Sequence, residues 1–171
     1  MEDGIFVGFL FIFIGFAVFM FILGIAIYLL MAIGLVTIAK REGKEDISWL
    51  AWIPFANSFL MMVLLEGAVH KQIRGNLTLF YGILMALSVV AGSLIPLLGF
   101  LPALAALALY VYAFYYLANR YSNNAMVHLI IAIVTLGYSI GVQIFLFRNK
   151  EVVDPTGLDE QASSIEENPT E

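Results

Sequence analysis

Cysteine is absent from this chain, which removes disulfides, thiolate nucleophiles and cysteine-held metals at once. Histidine occurs only twice, and Glu66 and His70 alone are too few ligands for a closed metal site. Charged residues make up 12% of the 171, against about a quarter in ordinary globular domains. Only eight of them are basic, so there is no patch dense enough to hold nucleic acid. The HExxH, G-x-S-x-G, phosphate-loop and dinucleotide signatures are all missing. No paired carboxylates lie inside an apolar run, as an intramembrane aspartyl protease would need. The expectation is a protein that is not an enzyme and holds no cofactor.

What the chain has instead is length without charge. Ile5 to Ala39 is thirty-five residues with no charged side chain, and seven of the first seventeen are phenylalanine. As a helix this run is about 52 Å long, against a hydrocarbon core of about 30 Å. No soluble domain needs such a segment, so the chain reads as an integral membrane protein. Because tilt alone does not absorb the excess, the helix is expected to bend near Gly15, Gly24 or Gly34, or to project beyond the bilayer. Glu2 and Asp3 precede the run where a secretory signal would have basic residues, so the segment is expected to be retained.

Charge clusters punctuate the remainder. Residues 40–46 close the first run, and Ile47 to Leu65 form a second, interrupted by Pro54. Leu77 to Asn119 is uncharged for forty-three residues and divides at Pro96-Leu97-Leu98-Gly99-Phe100-Leu101-Pro102. Proline cannot continue a helix but suits the first turn of the next. Helices are therefore predicted over about 5–39, 54–74, 77–95, 102–119 and 125–147, the last capped by Asn124. The piece after Pro54 has about twelve apolar residues, roughly 18 Å, too short to span alone.

The expected fold is all-α: a polytopic membrane bundle of four spans plus one short, proline-broken re-entrant or interfacial helix, with five spans as the alternative. Residues 1–150 form the membrane domain. Residues 151–171 carry seven acidic and no basic residues and are expected to be disordered. Basic residues favour the cytoplasmic side. Four spans put six of the eight Lys and Arg inside, and five spans put five there. Both models place the N-terminus outside and loop 40–46 in the cytoplasm.

The most distinctive pattern is Trp49-x-Ala51-Trp52-Ile53-Pro54-x-x-Asn57. The indoles, three apart, share one face of a turn at headgroup depth, Pro54 redirects the chain, and Asn57 is placed to satisfy backbone groups freed by the break. An interfacial anchor with a bend explains this, and a broken helix lining a cavity is the sharper alternative. Together with the helix that follows and Glu66-Gly67, the stretch resembles small uncharacterised bacterial polytopic membrane proteins with a W-x-A-x-[IV]-P-x-x-N segment after the first transmembrane helix. The resemblance implies a bacterial cytoplasmic membrane protein and carries no activity or catalytic residues.

Two further stripes stand out. Glu66, His70 and Arg74 fall at i, i+4 and i+8 of a helix, read as a solvated interfacial face or, more sharply, a proton-handling or ligand-binding one. The last run places His128, Thr135, Ser139 and Gln143 on one stripe, with Gly137 and Gly141 as a GxxxG for close helix packing. The functional expectation is an accessory, scaffold or assembly factor that packs against a second copy or another membrane protein within the lipid bilayer. The alternative is a small oligomeric channel or carrier lined by Thr135, Ser139 and Gln143 together with the proline-broken segment.

Overall fold

The computed structural model describes residues 2–153. The stretch expected to be disordered lies outside the described residues except for its first three. Among the described residues every regular element is a helix. In order, it forms α1 (Glu2–Arg41), a 3₁₀ helix (Glu45–Trp52), α2 (Ala56–Leu65), α3 (Leu77–Leu94), α4 (Pro96–Tyr121), α5 (Ala125–Val134) and α6 (Tyr138–Phe147). Helices α1, α3 and α4 are long and apolar enough to cross a bilayer.

Helix α1 runs unbroken through Gly15, Gly24 and Gly34 for 40 residues, about 60 Å. The expected bend is therefore not a break in the helix. Its two halves have different surroundings. Ala32, Leu35, Ile38 and Ala39 are fully buried, whereas every residue from Val7 to Leu23 is exposed. The rest of the chain gathers around the C-terminal half.

The segment that follows α1 folds down along it and returns. With three residues per turn, a 3₁₀ helix superimposes positions i and i+3. Ser48 and Ala51 are thus both buried, while Trp49 and Trp52 both face outward. The Ser48 hydroxyl donates to Glu45 O (2.8 Å), which supports this unusually long 3₁₀ stretch. Ile53 is extended (φ −101°, ψ 120°), as a residue before proline must be. Phe55 takes a left-handed φ of 69°, which delays α2 to Ala56 rather than Pro54. The Asn57 amide reaches Met31 Sδ of α1 (4.0 Å), while the Lys44 ammonium meets Val63 O. α2 therefore climbs back toward the end of α1 from which the segment left.

Helix α2 stops at Leu65. The predicted helix to residue 74 is replaced by turns, closed by Gly75 N–H to Glu66 O (3.3 Å), with Gly75 at φ 79°. α3 and α4 then form an antiparallel hairpin reversed at Ile95, another extended pre-proline residue. Pro96 opens α4, six residues earlier than the predicted start, and Pro102 sits inside the helix. Ser88 Oγ donates to Gly99 O (3.0 Å) across this hairpin.

The largest departure is in the last run. The expected single helix 125–147 is two ten-residue helices joined by Thr135-Leu136-Gly137. Gly137 N–H bonds Ala132 O (2.7 Å) and Leu136 N–H bonds Ile133 O (3.0 Å), the Schellman pairing that terminates a helix. Leu136 and Gly137 both adopt positive φ (51° and 86°), and the chain reverses. His128 and Gln143, fifteen apart in sequence, are in direct contact at 2.7 Å. In one straight helix they would be about 22 Å apart.

Glycines set the closest approaches. A Cβ on Gly141 would lie 2.6 Å from Ile27 O of α1, and one on Gly34 would lie 2.9 Å from the Ile144 backbone. On Gly99 it would meet Gly92 Cα and Ser88 O at 2.6 Å. By contrast, Gly8, Gly15 and Gly24 have nothing within 4 Å. Gly99→Ala is therefore expected to destabilise the protein by about 1–3 kcal/mol, and Gly15→Ala to leave stability unchanged or slightly raised. Thermal unfolding in mild detergent checks the contrast.

Candidate functional site

Two polar clusters lie within an otherwise apolar body. The first lies between the arms of the α5–α6 hairpin and reaches Ser122 just before it, its members half-buried except for buried Gln143. Gln143 is buried on α6, and its amide nitrogen donates to Ser139 Oγ (2.9 Å) and His128 O (3.3 Å). Its oxygen therefore faces His128 Nδ1 (2.7 Å), so that ring nitrogen carries the proton. Nε2 is left to accept the Ser122 hydroxyl (3.1 Å). At the tip, Thr135 Oγ1 and Ser139 Oγ are 2.8 Å apart, and Thr135 Oγ1 also accepts Ser139 N–H (3.2 Å). Thr135 is likewise within 2.8 Å of Ile131 O. One side chain thus serves the end of α5 and the start of α6. The edge of the Phe147 ring seals the imidazole (centroids 5.0 Å). The result is a continuous chain of polar groups from the hairpin tip to Ser122.

The second cluster ties the helix ends together. Arg41 at the end of α1 donates to Arg148 O (2.8 Å) and Lys150 O (2.7 Å), carbonyls that α6 cannot satisfy itself. Glu42 accepts Arg120 Nη1 (3.1 Å) and the Tyr121 hydroxyl (2.8 Å) from the end of α4. Val153 N–H closes the set on Arg120 O (2.9 Å). Glu42 and Arg120 are 13% and 30% exposed, so this pair is shielded more than the surface pair Lys40–Glu45. The ends of α1, α4 and α6 meet here, and Lys44 joins α2 to them. All eight Lys and Arg lie in the segments at this end: 40–44, 71–74, 120 and 148–150.

The residues singled out from sequence divide accordingly. His128, Thr135, Ser139 and Gln143 converge, but across a hairpin rather than along one stripe. Gly137 and Gly141 are both required, though not as a free GxxxG face: Gly137 turns the chain and Gly141 receives α1. Trp49, Trp52 and Pro54 lie exposed on the first folded-back segment. Asn57 is buried, yet its amide points to Met31 Sδ, and the Ser58 hydroxyl takes the freed Phe55 O instead. Glu66, His70 and Arg74 do not share a helical stripe, because residues 66–76 form turns. Glu66 accepts the Thr78 hydroxyl (3.0 Å), His70 is exposed with its N–H on Tyr112 Oη (3.4 Å), and Arg74 Nε donates to Val69 O (3.4 Å).

Sequence reasoning passed over Ser122, Arg41, Glu42 and Tyr121. The Leu136-Gly137 pair between two hydroxyl residues, midway along an apolar run, was the available sign of a reversal. No family model, curated protein or solved structure matches the chain.

Replacing Gln143 by Leu leaves the half-buried His128 Nδ1–H without its partner and is expected to lower stability by about 1–3 kcal/mol. The double change His128→Phe with Gln143→Leu removes both partners and should cost less than the sum of the single changes. A double-mutant cycle on thermal or denaturant unfolding measures that coupling.

Proposed function

We propose that the chain is a non-enzymatic protein of the bacterial cytoplasmic membrane, an accessory, scaffold or assembly factor that works by helix packing. Its spans are α1, α3 and α4. Residues 47–65 and the α5–α6 hairpin are two re-entrant segments that enter and leave from one side. This arrangement gathers all eight basic residues at one face, a stronger inside bias than either count made from sequence. That face is cytoplasmic, and the N-terminus of α1 is outside.

The observation that carries the functional reading is the bare half of α1. From Val7 to Leu23 it has no cover from its own chain, and its glycines leave room for another backbone. Gly34, Gly99 and Gly141, by contrast, are already occupied by neighbouring backbone. The partner-facing element is therefore the N-terminal half of α1, taken by a second copy or another membrane protein. The continuous polar chain from Thr135 to Ser122 favours one second reading, a narrow conducting path, which purified protein in liposomes would reveal as solute or proton flux sensitive to Gln143→Leu.

Gly8→Leu with Gly15→Leu is expected to abolish a co-purifying partner or homo-oligomer while leaving the unfolding temperature unchanged. A monomer that captures nothing before and after the change would defeat the scaffold reading. For topology, the cysteine-free chain allows single cysteines at Gly75 and Asn149. Neither should react with an impermeant reagent in intact cells, and both should react after permeabilisation. Labelling of either from outside would overturn the three-span arrangement.

A further inference from the structure

Between α3 and α4 lies an open groove of about 620 Å³, lined by Ile73, Phe80, Ile83, Leu84, Ala105, Ala108, Leu109 and Tyr112. It exists because Ala105 and Ala108 present only methyl groups opposite the larger side chains of α3. The antiparallel hairpin gives the groove a direction. Ile73 and Tyr112 mark one end, and Ala105, seven residues and about 10 Å below Tyr112, marks the other. The mid-depth end is wholly apolar.

The Tyr112 end is different. Its hydroxyl accepts His70 N–H (3.4 Å) and so holds the 66–76 turn segment against the mouth of the groove. Ile73 enters the groove from that segment, flanked in the chain by Lys71, which is exposed, and by Arg74. The one acidic group in the segment, Glu66, is turned to the Thr78 hydroxyl. Lys71 and Arg74, the latter with its Nε on Val69 O, thus lie within two residues of the side chain that closes the mouth of an apolar slot.

We propose that this groove is a binding site for an anionic phospholipid, one acyl chain lying along Ala105, Ala108 and Leu109 and the headgroup phosphate meeting Lys71 and Arg74. A helix of another protein would fill the slot but has no need of cations at its mouth, whereas an amphiphile matches both features. Within a bilayer an acyl chain gains little by exchanging lipid for protein, so selectivity comes from the headgroup. Anionic lipids of the cytoplasmic leaflet meet such basic positions. The inference rests on the basic face being at the membrane surface, not on the scaffold reading, and it is tested on the isolated protein.

The test is native mass spectrometry of the purified full chain in mild detergent, titrated with dioleoyl phosphatidylglycerol or dioleoyl phosphatidylcholine. Phosphatidylglycerol is expected to bind at least tenfold more tightly. Lys71→Gln with Arg74→Gln should remove that preference and leave phosphatidylcholine unaffected, and Arg74→Lys should largely retain it. Ala108→Phe, which fills the slot, should weaken both lipids, with the unfolding temperature monitored to exclude misfolding. Equal affinity for the two lipids would overturn the proposal, as would a preference that survives loss of both cations. Competition by glycerol phosphate at matching affinity would overturn it in favour of a headgroup-only site. A dimer mass lost on Ala108→Phe would assign the groove to a second copy instead.

Discussion

A backbone amide or carbonyl left bare in an apolar body has no water to turn to, and this constraint shapes the breaks between these apolar helices. The chain interrupts its helices at Ile53–Phe55, at Ile95 and at Thr135–Gly137, and each interruption is closed locally. Ser58 bonds Phe55 O, Ile95 N–H returns to Ala91 O, and Leu136 and Gly137 fold into a Schellman turn supported by the Thr135 hydroxyl. The two short folded-back segments that pack on α1 are possible only because these groups find partners within the chain. Ten-residue helices of about 15 Å do not cross a bilayer, so both must be held against longer neighbours.

Several charged side chains serve the same end. Arg41 acts as a cap for α6 rather than as a free surface cation, and Lys44 does the same for α2. Glu42 gathers Arg120 and Tyr121 from α4. A helix C-terminus exposes carbonyls with partial negative charge, and a guanidinium or ammonium from a neighbouring element neutralises them. Polar side chains inside the body follow the same logic, with His128 and Gln143 completing each other across the hairpin. Two hydroxyl-bearing groups are less well served: Tyr110 reaches only the soft sulfur of Met31 at 4.0 Å, and the Tyr28 hydroxyl is buried with no partner among the described residues.

How much of this could be read beforehand varied with the range of the interaction. The long uncharged runs announced α1, α3 and α4, because hydrophobic length is a property of contiguous sequence. Trp49, Trp52 and Pro54 announced a bend, and the chain does turn there, packing against the C-terminal half of α1. The polar residues of the last run were identified, but their partners were not. A helical stripe and a folded-back hairpin place the same residues together in different ways, and His128 meets Gln143 only in the second. Glu66, His70 and Arg74 show the converse: regular spacing suggested a helix that Gly67, the turns before Gly75 and the Glu66 O–Gly75 N–H bond do not allow.

By itself, then, the sequence determined which helices are long and apolar enough to cross a membrane and where charge falls along the chain. Those follow from composition and local propensity, which act over neighbouring residues. The tertiary structure decided that the last apolar run reverses, that Gly34, Gly99 and Gly141 are contact points, and that eight dispersed basic residues share one end. Each of these depends on which backbone lies within a few ångströms of which, and that distance is set by packing between segments far apart in the chain. The short helices could be apolar and still fold back because α1 and α4 supply the surfaces and hydrogen-bond partners that lipid cannot.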